Sequence, residues 1–262
     1  MIGHEPPAGA VAPLPILPTA AEAWRTVIGN FGALTRASAL PFILLLCINI
    51  TAHFFDLVTY RLIWTFGAEV PWTLMGVAWL HRLLLAPAGA KIPFFTRPGR
   101  RHLWFLGYSL LLSIIWLPLI FYDLLADALV LEGPPRIAVY YGLYATFLFF
   151  SLRFAFVYAA TAVGEDYSLA LAWRHSRDIA FNLFIVVGAF AMLPWEIFDY
   201  LLGIALPLEG AAAHLLSLAN YFAWHAGFWV LNGIYLAIIA IAFRTCTGWV
   251  PPPDRRIVER FD

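Results

Sequence analysis

The sequence predicts an all-α integral membrane bundle of six transmembrane helices plus two interfacial amphipathic helices, with signs of an internal repeat. Three observations predict it. Apolar residues make up 62% of the chain and mean hydropathy is +0.80, whereas soluble domains are roughly half apolar. Charged residues are only 12%. Apolar runs recur at lengths of about 20 residues, the span of a bilayer core. The most telling run is 181–206, FNLFIVVGAFAMLPWEIFDYLLGIAL, which carries Pro194, Glu196 and Asp199 near or past its middle. Carboxylates in such a run are costly in lipid, so they should face protein or water.

Taken in order, residues 1–18 hold five prolines and almost no charge. They lack the basic start and compact apolar core of a signal peptide and predict a disordered tail. Thr19 and Glu22 fit a capping box that opens a helix over 19–38. Trp24, Val27, Ile28, Phe31 and Leu34 recur at helical spacing, as in a helix lying in the headgroup plane. Spans are expected at about 40–60, 72–90, 103–125, 137–163, 181–206 and 221–243, within one transmembrane domain over 19–248 and a tail from 249 to 262. Residues 211–220 read as a re-entrant or interfacial approach to the last span.

Charge fixes the expected orientation. Lys91, Arg97, Arg100, Arg101, Arg174, Arg177, Arg25, Arg36, Arg244, Arg255, Arg256 and Arg260 fall on one side of six crossings, against Arg61 and Arg136 on the other. This places both termini in the cytoplasm. The single lysine against 15 arginines suggests a GC-rich bacterial genome, hence an inner membrane. Zero net charge gives no reason to expect nucleic acid as a partner. Cys47 and Cys246 form no metal or redox motif and read as buried free thiols. No cofactor and no metal are expected; membrane lipids, a membrane-protein partner or a second copy are the expected partners.

A repeat is suggested by Ala23-Trp24-Arg25 and Ala172-Trp173-Arg174, and by Leu74-Met75-Gly76-Val77 and Leu231-Asn232-Gly233-Ile234. Parity would make the two copies parallel. The surface helix with AWR, the stretch Ser168-Leu-Ala-Leu-Ala-Trp-Arg-His-Ser-Arg177 and the terminal span ending AIAFRTCTGWVPPP resemble the YciC-like membrane proteins and the membrane domains attached to some glycerophosphodiester phosphodiesterases. The resemblance implies a helical membrane domain and brings no catalytic residue with it.

The polar candidates lie inside the spans. His53 and Asp56 share a face of the first span, Asp123 and Asp127 end the third, Glu196 and Asp199 lie in the fifth, and His225 enters with the sixth. Arg82 and Arg153 read as deep cations near the midplane. Two readings are open: Arg82 or Arg153 pairs with Glu196 to hold helices in register, or the acids line a proton- or cation-handling cavity. His53, Asp56 and His225 do not have the spacing of an established metal site. Asp123 and Asp127 form a DxxxD, which magnesium-dependent membrane transferases use, without the further acidic elements those enzymes need. Lys91 to Pro98 approaches a lipid-phosphatase opening but is one residue short, and its companions are missing. The expectation is a non-enzymatic structural protein or complex subunit; the alternative is a small transporter or lipid-handling protein using the outer carboxylates. Arg97, Arg100 and Arg101 are the expected contacts for anionic lipid.

Overall fold

A computed structural model describes residues 13–52, 54, 55, 57–85, 98–204 and 211–251, and among these every regular element is a helix. The elements are α1 (Ile16–Gly29), α2 (Phe31–Ala52), α3 (Leu57–Gly67), α4 (Glu69–Leu85), α5 (Arg100–Ser113), α6 (Leu117–Ile120), α7 (Tyr122–Ala128), α8 (Gly133–Phe154), α9 (Phe156–Ala162), α10 (Leu169–His175), α11 (Ala180–Val187), α12 (Leu193–Ile204) and α13 (Ala211–Thr247). Among the described residues, five stretches are long and apolar enough to cross a membrane: Phe31–Ala52, Arg100–Ala128, Gly133–Ala162, Arg177–Leu202 and Phe222–Thr247.

The sixth expected span has a different form. The chain turns after α2, with the amides of Phe54 and Phe55 bonded to the carbonyls of Thr51 and Ala52. α3 and α4 then run back beside α2 as one broken arm. Ala68 and Trp72 bond back to Trp64 and Ala68 across the joint, and Pro71 sits in the first turn of α4, where its missing N–H costs nothing. The first span therefore ends at Ala52 rather than near 60, because hydropathy alone does not register a tight turn between two apolar helices.

Three further expectations are corrected. Thr19 does not cap a helix: α1 already begins at Ile16 after Pro15, and the Thr19 amide bonds to the Pro15 carbonyl inside it. Leu14 is buried, and its carbonyl accepts from Asn182 Nδ2 at 3.0 Å, which ties the residues just before α1 to α11. Residues 211–220 are no separate approach but the first turns of α13, a continuous helix of 37 residues. Cys47 is exposed on α2, and only Cys246 is buried.

α4 is the centre of the bundle. Met75, Trp79 and Leu80 are fully buried, and α2, α5, α9 and α13 pack around the helix. Glycines permit the closest approaches. A Cβ on Gly76 would lie 2.6 Å from the ring of Phe105 on α5, and one on Gly233 would lie 2.8 Å from Leu34 on α2. Small residues serve helix contacts in membranes in this way. The two glycines belong to the repeated motif, and each receives a neighbour's side chain. The two tryptophans of the motif behave differently. Trp24 is half-buried and donates to the Phe190 carbonyl at 3.2 Å, while Trp173 is 40% exposed.

Between α7 and α8 the chain closes with Leu131 N to Ala126 O at 2.9 Å and Val130 N to Asp127 O at 3.1 Å. That is a helix stop whose left-handed position ordinarily takes glycine. Here it is Val130, at φ +53° and 80% exposed, and a β-branched residue is strained there. Val130→Gly should stabilise the protein by about 1 kcal/mol, read as a higher thermal midpoint in detergent; an unchanged or lower midpoint would contradict this account of the loop.

Candidate functional site

The sequence candidates separate into two layers. At the end of the bundle away from most of the arginines, Asp123 and Asp127 lie one turn apart on α7. Arg136 of α8 reaches both, with Nη1 2.8 Å from Asp127 and Nη2 3.2 Å from Asp123. Arg61 of α3 reaches Asp123 at 2.5 Å and donates to the Ile120 carbonyl at 2.6 Å. The Tyr122 hydroxyl donates to the Arg136 carbonyl. The DxxxD thus holds two guanidinium groups and ties α3, α7 and α8 together. The four side chains are 22% to 65% exposed, so each single pair contributes modestly.

His225 is fully buried on α13. Its Nε2 is 3.5 Å from Asn49 Nδ2, the outer limit of a hydrogen bond, and the Tyr60 hydroxyl donates to Asn49 Oδ1 at 3.3 Å. Rings of Phe42, Trp64 and Trp224 surround the imidazole, with centroids 6.1, 6.3 and 4.9 Å away. Trp224 Nε1 donates to Asp199 at 2.7 Å, so Asp199 is fastened to α13 although it is exposed. Glu196, half-buried one turn earlier, makes no hydrogen bond or ion pair among the described residues. His53 and Asp56 lie outside the described residues.

The expected pairing of Arg82 or Arg153 with Glu196 is not formed. Both arginines are only 7% exposed, but they sit at the basic end, far from Glu196. Arg82 Nη2 is 3.4 Å from Asn30 Oδ1, at the joint of α1 and α2. Arg153 lies 4.0 Å over the Trp173 ring and donates to the Trp173 carbonyl at 2.6 Å. The reason is length. α8 begins at Gly133, so Arg153 comes about 30 Å along the helix, at the far interface rather than the midplane.

One group escaped the sequence reading. Glu69 opens α4 at the break with α3 and accepts from the Ser113 hydroxyl of α5. The Ser109 hydroxyl of α5 also faces Glu69, and the buried hydroxyl of Thr73 on α4 has no hydrogen-bond partner among the described residues. The signal was in the sequence: a carboxylate between Gly67 and Pro71 marks an interrupted span, where membrane proteins often place a polar site. It was missed because the second span was started at Trp72.

Arg100 and Arg101 begin α5 and line a cavity of about 690 Å3 at the basic end; Arg97 lies outside the described residues. Beside this cavity Tyr167 Oη is 2.6 Å from His175 Nδ1. Burial, with Arg174 nearby, holds the His175 imidazole below its ordinary value of 6.5, and burial pushes the Tyr167 phenol up. The fold thus favours a neutral imidazole accepting the phenol proton.

These features define a multi-pass helical membrane protein whose polar side chains link helix to helix. No protein family, no curated protein and no solved structure matches the chain.

Protonating His175 is easier in the unfolded chain than in the fold, so stability should be full above about pH 6.5 and fall as pH drops below it. Thermal midpoints measured between pH 7.5 and 5 should show that loss, and His175→Gln should flatten it; an equal slope in the variant would remove His175 as its source.

Proposed function

We propose that this protein is a non-enzymatic structural subunit of a larger assembly in a bacterial cytoplasmic membrane, with both termini in the cytoplasm. The observation that supports the reading is the open face of α12. Leu193, Ile197, Tyr200 and Leu201 are all more than half exposed there. Beside them stand Asp199, exposed, and Glu196, with no hydrogen-bonding partner among the described residues. Carboxylates on the lipid-facing side of a spanning helix are costly. A partner helix bringing hydroxyl or basic groups would remove that cost, and the aromatic and aliphatic stripe would pack against it.

The protein captured from its own membrane in a lipid-retaining particle should carry a stoichiometric partner. Glu196→Gln with Asp199→Asn should lower partner retention by about tenfold or more while the chain stays folded. A lone protein that catalyses solute flux would overturn the reading.

A specific feature favours a second reading, a small transporter. Glu69 sits at an interrupted helix beside the hydroxyls of Ser109 and Ser113, the arrangement expected where an ion is handled within the membrane. On that reading Glu69→Gln abolishes proton or cation flux in proteoliposomes at unchanged expression. Wild-type liposomes that leak no faster than empty ones would eliminate it.

A further inference from the structure

α4 and α5 meet along one seam, and two contacts fix its register. A Cβ on Gly76 would lie 2.6 Å from the Phe105 ring, and Glu69 is hydrogen-bonded to the Ser113 hydroxyl. The helices therefore run antiparallel, with Glu69, Thr73 and Gly76 on one stripe facing Ser113, Ser109 and Phe105 on the other. Thr73 and Ser109 are 3% and 1% exposed, and the Thr73 hydroxyl has no hydrogen-bond partner among the described residues. Tyr158 of α9 closes the seam, its ring centroid 4.8 Å from that of Phe105 and its phenol facing Ser109. Glu69 lies about 20 Å along α4 from Arg82, and Ser113 about 20 Å along α5 from Arg100. Measured from the basic end, both stand well inside a hydrocarbon core about 30 Å thick.

A bare carboxylate at that depth is costly without a cation, and among the described residues no cation reaches Glu69. The titratable groups that face it from the elements packed on α4 are Tyr158 and, beyond it, Tyr235 of α13. Arg61 of α3 is engaged by Asp123, and Arg82 by Asn30. The hydrogens of the seam indicate what neutralises the acid. Ser113 has one hydroxyl hydrogen and two acceptors in reach, Glu69 and the Ser109 carbonyl at 2.9 Å. A carboxylate can only take that hydrogen, and the Ser109 carbonyl then loses it. A carboxylic acid donates its own hydrogen to Ser113 Oγ, and the Ser113 hydrogen stays on the Ser109 carbonyl. The other carboxyl oxygen is left to accept from the Ser109 hydroxyl, which faces it. We propose that Glu69 is a proton-binding site within the membrane, occupied at neutral pH, with Ser113 and Ser109 as its hydrogen-bonding partners. The inference rests on the transporter reading in so far as it names that site's ion as a proton; binding itself needs no flux.

The test is infrared difference spectroscopy of the full chain in lipid vesicles at neutral pH, where a carboxyl in water is ionised. The wild type should show the carbonyl stretch of a protonated carboxylic acid, shifted in heavy water. Glu69→Gln should remove that band, and Glu196→Gln should leave it. Should Glu69→Gln fail to fold, Ser113→Ala serves instead: it removes one hydrogen bond and should move the band to higher frequency. No acid band in the wild type, or a band lost with Glu196→Gln alone, would overturn the proposal. So would a band that disappears on adding sodium chloride but not choline chloride, since the ligand would then be a metal cation. The band without proton flux in proteoliposomes removes the transporter reading and keeps the proton site; flux without the band does the reverse.

Discussion

A carbonyl freed by a break in a helix has no water to turn to inside a bilayer, and the fold is arranged around that constraint. Pro194 has no N–H to offer the Phe190 carbonyl four residues back. The helix widens there into a π turn over Gly188–Met192, and Trp24 reaches across from α1 to donate to that carbonyl. The surface helix α1 is thus held in place by a defect in a span far away in sequence. The same solution recurs. Arg61 of α3 meets the Ile120 carbonyl at the joint of α6 and α7. Arg153 meets the Trp173 carbonyl in the last turn of α10, where a helix leaves its carbonyls unpaired. Breaks in helices and long donor side chains on their neighbours are therefore two parts of one design.

This explains which features could be read from the sequence. Hydropathy identifies apolar helices well because lipid imposes one demand on all of them, and the described residues hold five stretches long and apolar enough to cross a membrane. It does not place turns between two apolar helices, so a first span drawn to 60 takes in only the start of α3 and leaves the rest of it, with Glu69, between spans. Depth was misread for a related reason. Arg82 and Arg153 were placed at the midplane by counting from assumed boundaries, yet α4 and α8 carry them to the basic end, where an arginine finds Asn30 or the Trp173 ring. Pairing between distant segments, such as Trp24 with Phe190, leaves no local pattern and was not legible.

The candidate site was legible in its residue types more than in its partners. Asp123 and Asp127 were recognised as a DxxxD, and the spacing does place them side by side, as an i, i+4 pair on a helix must. What the spacing could not tell is that Arg61 and Arg136 occupy them. The positive-inside count had treated those two arginines only as the minority charge on their side. Their contacts give that minority a physical role: they neutralise the acids at an end of the bundle that has few other basic groups.

The two ends consequently work differently. At one end, charge is consumed within the chain, by the α3–α7–α8 network and by Trp224 on Asp199, while Glu196 on α12 has no such tie among the described residues. At the other end, the bare Gly164 lets the Arg101 guanidinium lie against the turn that leads into Glu165, and both residues line one cavity. A closed ionic network fixes helix ends and leaves little for a ligand to gain. A partner helix on α12, as proposed, would meet the carboxylate of that face that the described residues leave untied.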